Sequence, residues 1–341
     1  MSQSVEKLLP ELYQIEYLID QSPNYLSSEI LCEIPVGSRA VPVYALTLGS
    51  KATDAPCIVF TAGIHGLERI GTQVVLAFLE TLLGRLHWDI VFINLLKQIR
   101  IVFIPLLNPA GMAANTRANG HGVDLMRNAP VESPEQVVWL AGGHRISPRL
   151  PWYRGDENKG MELEAQTLCD FFIKTVLPAP FSMVLDCHSG FGHHDRLWFP
   201  YAKSRLEPIK HIGEIYHLRE LFFQTYPYQN YLFEPQSQHY ITHGDLWDYI
   251  YDIAVRQNRT FLPLTLEMGS WRWIRKNPLQ MFNLLGMFHP IKPHRINRVL
   301  RRHLVLMEFL VHATLSHENW LSDCQSLNMA QRATERWYYN D

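Results

Sequence analysis

The 341-residue sequence lacks the features that would point to a nucleic-acid or membrane partner. It has 31 Lys and Arg against 33 Asp and Glu, a formal net charge of −2, whereas a phosphate backbone or an anionic membrane favours a strongly basic face. The most apolar stretch, residues 90–107, is interrupted by four polar residues, Asn94, Lys97, Gln98 and Arg100. Such a stretch is a poor membrane span. We therefore expect no transmembrane helix, no membrane partner and no nucleic-acid partner.

Cysteine is scarce, and the sequence has no recognisable secretion signal. The five cysteines contain no Cys-x-x-Cys pair and stand at Cys32, Cys57, Cys169, Cys187 and Cys324. An odd, scattered set in a chain too large to need disulfides predicts reduced, mostly buried thiols. Residues 1–17 mix charged with apolar side chains, and so lack the basic start and apolar core of a signal peptide. The expected location is the cytoplasm.

Linkers, repeats and low-complexity segments are also missing from the sequence. With 47% hydrophobic and 19% charged residues, the chain can bury a full core. No Pro/Gly/Ser-rich linker or charge block divides it. We predict a catalytic domain over residues 1–290 and a C-terminal helical extension over residues 291–341, packed on the same domain.

β-rich runs alternate with segments of helical periodicity. The predicted strands are residues 30–35, 41–48, 57–61, 100–107, 181–187 and 260–266, and the predicted helices are residues 68–86, 162–176 and 295–319. This alternation predicts an α/β fold with a mixed, mainly parallel central sheet and helices on both faces. The last helix carries Arg298, Arg301 and Arg302 beside its apolar stripe. We interpret these arginines as the solvated side of the helix, and a basic docking face stays open as the alternative.

A histidine and a carboxylate lie three residues apart just past a buried strand, at His65 and Glu68. Catalytic zinc sites use three protein ligands and leave a position for water. The best third ligand is His188, at the end of another buried strand, because open α/β sheets bind ligands beyond their strand C-termini. His-x-x-Glu alone is a weak signal, but the two strand ends together predict a metal site.

The order of these and other residues resembles the M14 zinc carboxypeptidase family, part of a carboxypeptidase A-like superfamily. The family pattern is His-x-x-Glu, an Arg, Gly-Val-Asp-Leu-Asn-Arg-Asn, and then His, Tyr and Glu. The same order appears in this sequence. It begins with His65 and Glu68 and continues with Arg117. Residues 122–128 then read Gly-Val-Asp-Leu-Met-Arg-Asn, which includes Asp124, Met126, Arg127 and Asn128, and His188, Tyr240 and Glu267 follow.

The resemblance implies one Zn²⁺ per chain, bound by His65, Glu68 and His188. It implies that Glu267 is the general base that accepts a proton from water. It also implies that Arg117 stabilises the negative charge that develops on the scissile carbonyl oxygen. A structural ion pair remains the alternative for Arg117.

The resemblance further assigns substrate contacts to Arg127, Met126, Asn128 and Tyr240. Arg127 matches the arginine that binds a terminal carboxylate through paired bonds, with a structural ion pair as its alternative. Tyr240 matches the tyrosine that closes over the substrate, and a packed aromatic ring is its alternative. Asp124 matches an aspartate that accepts a hydrogen bond from the first histidine ligand and fixes its ring.

The sequence departs from the family pattern at two positions. Met126 stands where the family has an asparagine that donates to the substrate carboxylate, and Leu67 stands where an arginine is usual. Three alternatives therefore stay open. The first is a metallocarboxypeptidase, the second is an N-acyl amino acid deacylase like the succinylglutamate desuccinylases and aspartoacylases, and the third is a non-catalytic binding protein on the same fold. The expected partner is accordingly a peptide or an N-acyl amino acid.

Overall fold

The computed structural model describes residues 5–282, 285–323 and 328–339. Its strands are β1 Ser27–Val36, β2 Arg39–Gly49, β3 Cys57–Ala62, β4 Arg100–Ile104, β5 Phe181–Ser189, β6 Asp195–Phe199, β7 Tyr231–Pro235 and β8 Thr260–Met268. They form one mixed eight-stranded sheet in the order β1-β2-β4-β3-β5-β8-β6-β7. The central strands β4, β3, β5 and β8 are parallel, while antiparallel pairs join β1 to β2, β2 to β4, and β8 to β6.

Helices cover both faces of this sheet. They are α1 Val5–Leu8, α2 Pro10–Gln21, α3 Arg69–Arg85, α4 Ile90–Leu96, α5 Pro109–Ala114, α6 Leu163–Phe171, α7 Ile212–Thr225, α8 Leu246–Arg256, α9 Trp271–Lys276, α10 Pro293–Leu315, α11 His317–Leu321 and α12 Met329–Tyr338. Helices α3 and α10 pack against β3 and β5, whereas α8 packs against β8. The predicted fold class is therefore confirmed.

The central strands are almost entirely buried because helices cover them on both sides. Every residue of β3, β4 and β5 is buried, as expected for parallel strands with near-continuous apolar runs. Since β3, β5 and β8 run in the same direction, their C-terminal ends meet at one edge of the sheet. In the pairing of β5 with β8, His188 lies directly beside Glu267. The sheet alone thus brings together two of the predicted site residues.

The strand and helix predictions are confirmed in type, with differences at their ends. The strand predicted at residues 100–107 ends at Ile104, and the helix predicted at 295–319 is the long α10 followed by the short α11. The apolar stretch that starts at residue 90 begins with helix α4, which Asp89 caps by accepting hydrogen bonds from the backbone N–H groups of Val91 and Phe92.

The C-terminal helices share the core of the sheet. Buried side chains of α10 and α12, such as Leu306 and Trp337, belong to the same hydrophobic cluster as the central strands. The division at residue 290 stays a prediction. Among the described cysteines, Cys57, Cys169 and Cys187 are buried and free, and Cys32 is half-buried and free, whereas Cys324 lies outside the described residues. Within the described ranges, no helix is long and apolar enough to span a membrane.

Candidate metal and active site

The first two candidate ligands lie in the short loop between β3 and α3. This loop passes very close to the start of α5, because a Cβ on Gly66 would lie 2.0 Å from the carbonyl carbon of Gly111. Only glycine fits there. The tight loop places His65 and Glu68 side by side, and the parallel neighbour β5 adds His188. All three side chains are buried.

The three candidate ligands converge on one point. The Nδ1 atom of His65 lies 3.0 Å from Glu68 Oε1, the Nδ1 atom of His188 lies 3.1 Å from Glu68 Oε2, and the two Nδ1 atoms are 3.2 Å apart. A tetrahedral zinc with bonds of ~2.0–2.1 Å separates its ligand atoms by roughly 3.3 Å. The donor set and its spacing therefore fit a zinc ion.

Each candidate histidine has a buried carboxylate on its other ring nitrogen. Nε2 of His65 lies 3.2 Å from Asp124 Oδ1, and Nε2 of His188 lies 2.6 Å from Asp186 Oδ2. Metal-binding histidines usually donate their second N–H to such an acceptor, which orients the ring and keeps the facing nitrogen free for the metal. The two histidine–carboxylate contacts are therefore further evidence that these residues fit a metal ion.

Asp186 is a residue to which the sequence assigned no role. It lies two positions before His188 on β5, and alternate residues of a strand share one face. The Asp-x-His spacing is therefore the sequence signal from which a role for Asp186 could have been predicted. The Asp186 carboxylate also accepts a 2.9 Å hydrogen bond from the indole of Trp247, which holds it in place.

Glu267 lies beside the three candidate ligands and faces the same cavity. Its Oε1 atom accepts a 2.9 Å hydrogen bond from the backbone N–H of Phe191, and its Oε2 atom receives no hydrogen bond from the described residues. Burial, and then the nearby Glu68 carboxylate, raise the pKa of Glu267 above the ordinary value of a glutamate. A carboxylate with a raised pKa is suited to accept a proton near neutral pH.

The two predicted arginines converge on Asp124. The Nε atom of Arg117 donates to Asp124 Oδ2 at 2.8 Å, and Nη1 of Arg127 donates to the same oxygen at 3.2 Å. Although burial alone would raise the pKa of Asp124, Arg117 and Arg127 hold it well below its usual range. Arg117 also lies 3.6 Å from Glu68 through Nη1, so its positive charge is next to the candidate metal site.

A cavity of about 500 Å³ opens over these groups. Met126, Arg127 and Tyr240 contribute to its lining, as do several aromatic side chains to which the sequence assigned no role, namely Trp152, Phe191, Trp198 and Phe288. These aromatic residues come from separate loops and strands, so no local motif marks them. The ring of Tyr240 lies 5.9 Å from the guanidinium of Arg127. The predicted substrate-binding side is thus largely apolar with a few polar groups, as ligand pockets usually are.

Asp245 lines the same cavity and was also not assigned from the sequence. It is the N-cap of α8, where it accepts from the backbone N–H groups of Trp247 and Asp248. Burial raises its pKa, while the positive charge of Arg127 is among the influences that lower it. A carboxylate near Arg127 weakens that arginine's attraction for a substrate carboxylate.

Asn128 does not line the cavity. Its Nδ2 donates to the carbonyl of Arg154 at 2.8 Å, and its Oδ1 accepts from the backbone N–H of Glu162 at 2.6 Å. The side chain therefore holds neighbouring loops together. Its predicted contact with substrate stays a prediction.

The sequence and the structure were both compared with known proteins. A family model of the zinc carboxypeptidases matches residues 37–271. The structure is similar to bovine thrombin-activatable fibrinolysis inhibitor, solved in complex with tick carboxypeptidase inhibitor (TM-score 0.66, 17% identity, 93% of this chain and 98% of that one). It is also similar to carboxypeptidase A from Helicoverpa armigera (TM-score 0.64, 15% identity, 89% of this chain and 71% of that one). At these identities, the likeness shows the fold.

The sequence matches to known proteins cover only short stretches. Carboxypeptidase D of Mus musculus is 32% identical over 96 residues, which cover 24% of this chain and 7% of that protein. Carboxypeptidase M of Mus musculus is 27% identical over 127 residues, covering 33% of this chain and 29% of that protein. The matches thus span only a small part of these relatives.

Proposed function

Because the family model covers more than half of it, the chain belongs to the M14 zinc carboxypeptidase family, and we propose that it is a zinc-dependent hydrolase that cleaves a C-terminal peptide or amide bond. The observation that carries the proposal is the convergence of His65, Glu68 and His188, with Glu267 beside them in the same cavity. A metal-ligand set next to a carboxylate with a raised pKa is the arrangement that hydrolysis of an amide needs.

Zinc held by His65, Glu68 and His188 would supply a Lewis acid at the wall of the cavity. Glu267 accepts the proton of the attacking water at Oε2 while the backbone N–H of Phe191 holds Oε1. The same carboxyl group then delivers the proton to the leaving amine. Arg117 lies where its positive charge stabilises the oxygen that becomes negative during attack.

On the substrate side, we propose that Arg127 and Tyr240 contact the terminal group of the substrate. Arg127 is buried and already donates to Ala141 through Nε and to Asp124 through Nη1. These two bonds fix the plane of the guanidinium, which also interacts with the side chain of Tyr240. The arginine is therefore oriented before substrate arrives, which lowers the entropic cost of binding.

We expect purified protein to contain one zinc per chain. Elemental analysis of the wild type measures this directly, and His188→Ala should lose the metal because it removes one of three ligands. His193→Ala is the matched control, since His193 is exposed just five residues further along and should keep the full zinc content. Wild-type protein that has no divalent metal and takes up none on dialysis against zinc would contradict the ligand assignment.

An N-acyl amino acid deacylase is the second candidate function. The specific observation in its favour is the apolar Met126 in place of a donor amide, together with the Asp124 and Asp245 carboxylates around Arg127. Both features weaken recognition of the terminal carboxylate, which peptides and N-acyl amino acids share, so a small substrate that is held mainly through its acyl group would also fit the cavity. An assay of the zinc-loaded protein against a library of peptides and N-acyl amino acids distinguishes the two functions.

Restoring the missing amide tests carboxylate recognition. If Arg127 binds a substrate carboxylate, Met126→Asn should add one charge-assisted hydrogen bond worth ~1.5–3 kcal/mol at best. That corresponds to a rise of roughly tenfold or more in kcat/KM for substrates with a free C-terminus, while amidated substrates should change little. Met126→Leu, which adds no donor, is the control.

The kcat/KM of Met126→Asn could also fall instead of rising. Met126 is buried at the cavity wall, so an asparagine that finds no partner there would be an unsatisfied buried amide and would weaken binding. An equal loss on free-acid and amidated substrates would contradict the carboxypeptidase function and favour a hydrolase that recognises another group.

A further inference from the structure

One segment of the chain is strongly basic although the whole protein is slightly acidic. Residues 268–307 contain eight Lys and Arg and no Asp or Glu. The remaining 301 residues hold the other 23 Lys and Arg against all 33 Asp and Glu. The positive charge is therefore concentrated in α9, in the start of α10 and in the loop between them.

The fold gathers part of this charge around a second cavity. Helix α9 and the first turns of α10 enclose a space of about 240 Å³ whose lining includes Arg272, Lys276, Arg295, Arg298 and Arg302. None of these residues lines the larger cavity at the candidate metal site. The indole of Trp273, which is buried, and the side chain of Val299 complete an apolar part of the wall.

Only one carboxylate among the described residues balances these cations. The buried Asp195 forms ion pairs with Arg272 and with Arg302, whose Nε lies 2.6 Å from Oδ2. Lys276 and Arg298 form no ion pair with any described residue, and Arg295 donates to the backbone carbonyl of Trp273. Five cations therefore face one anion around a small space.

The N-terminus of α10 adds to this positive potential. The first turn of this 23-residue helix has no acidic residue, its N-cap is Lys292, and Arg295 follows within the turn. The helix dipole already places partial positive charge at this end, so cations here are unfavourable unless an anion joins them. Helix N-termini are also common binding sites for phosphate groups.

We propose that this cavity binds a phosphate-bearing anion that carries at least two negative charges. Arginine side chains form paired hydrogen bonds with phosphate oxygens, and a phosphate concentrates more negative charge in a small volume than a single carboxylate does. The phosphate belongs either to a small soluble molecule or to a lipid headgroup. The site is separate from the candidate metal centre, and its occupation requires no hydrolytic activity.

The test is calorimetric titration of the full chain with pyrophosphate as the probe. The variant Lys276→Gln/Arg298→Gln removes two unpaired cations of the cavity. Its control is Arg275→Gln/Arg301→Gln, which removes two exposed cations from the same two helices but from outside the cavity. We expect at least a tenfold loss of pyrophosphate affinity in the first variant and less than about a twofold change in the control.

Circular dichroism and the melting temperature confirm that both variants are folded. Pyrophosphate binding that persists equally in all three proteins would show that the probe binds elsewhere, for example at a bound metal, and would overturn the proposal. An equal loss in the two double variants would mean that net charge alone attracts the probe, which would overturn the proposal. Absence of binding to the wild type in both this titration and the vesicle assay below would overturn it as well.

A vesicle assay identifies the source of the phosphate. Sedimentation with phosphatidylcholine vesicles, with and without a phosphatidylinositol bisphosphate, is measured for the same three proteins. Binding that requires the phosphorylated headgroup and that only Lys276→Gln/Arg298→Gln loses supports a lipid source. Pyrophosphate binding without vesicle binding supports a soluble one. Hydrolysis of peptides is measured in parallel and should be unchanged in both variants, so the two proposals fail or succeed independently.

Discussion

Glu267→Gln should retain its zinc and lose at least about 100-fold in turnover, since a positioned general base contributes typically 10²–10⁴. The substitution keeps the shape of the side chain and an oxygen that can accept the Phe191 hydrogen bond. It removes the ability to take a proton. Glu267 is not one of the three converging candidate ligands, so metal content and chemistry should separate in this variant.

The measurement is kcat on the best substrate from the library, together with zinc content per chain. Glu308→Gln is the control, because Glu308 lies on α10, pairs with Arg85 and is outside the cavity. The pH profile adds a second readout. Because the base must be deprotonated, wild-type activity should rise with pH through the pKa of Glu267, and this rise should be missing from any residual activity of the variant. Full activity would remove Glu267 from the mechanism.

The sheet and the metal-ligand cluster could be predicted from the sequence because both depend on local patterns. Strands β3 and β5 are largely apolar runs whose polar residues lie mostly near their C-terminal ends, and this pattern predicts parallel strands buried on both faces. Parallel strands end at the same edge, so the residues beyond β3 and at the end of β5 had to be neighbours. His65, Glu68 and His188 follow from that rule together with the ordinary ligand preferences of zinc.

The edge of the sheet beyond β8 was not predicted, for a physical reason. Strands β6 and β7 are five residues each, and β7 alternates buried with exposed or half-buried positions. Such short runs resemble loops, and their pairing partners are far away along the chain. Helices α7 and α8 were likewise not predicted, although α8 begins with the helix-capping residue Asp245.

The substrate side of the cavity is equally hidden in the sequence. Phe191, Trp198 and Phe288 each belong to a different segment, and only the folded chain shows that they line one wall. The roles of the two arginines also depend on three-dimensional contacts, because Asp124 links them to each other and to His65. The motif predicts which residues matter, whereas the contacts decide which charges remain free for a substrate.

Arg117→Gln should lower kcat by about 10²–10³, which corresponds to ~2.7–4 kcal/mol of transition-state stabilisation. The guanidinium lies 3.6 Å from Glu68 and donates to Asp124, and the side chain, which is 23% exposed, lines the cavity. A cation there acts mainly when the carbonyl oxygen becomes negative, so KM should change less than kcat. Arg117→Lys should recover part of the loss, since it keeps the charge but not the planar donor set.

The alternative for Arg117 is a purely structural ion pair with Asp124, and the same variants decide between the two. If the pair is structural, Arg117→Gln should have a lower melting temperature and a reduced zinc content. Asp124 orients His65, and the orientation of Asp124 in turn depends on its arginine partners. It predicts no selective loss in kcat once the enzyme is saturated with zinc. Arg127 still pairs with Asp124 in the variant, so we expect the zinc site to remain intact and the loss to appear in kcat. Zinc-saturated Arg117→Gln protein with wild-type kcat would rule out the catalytic role.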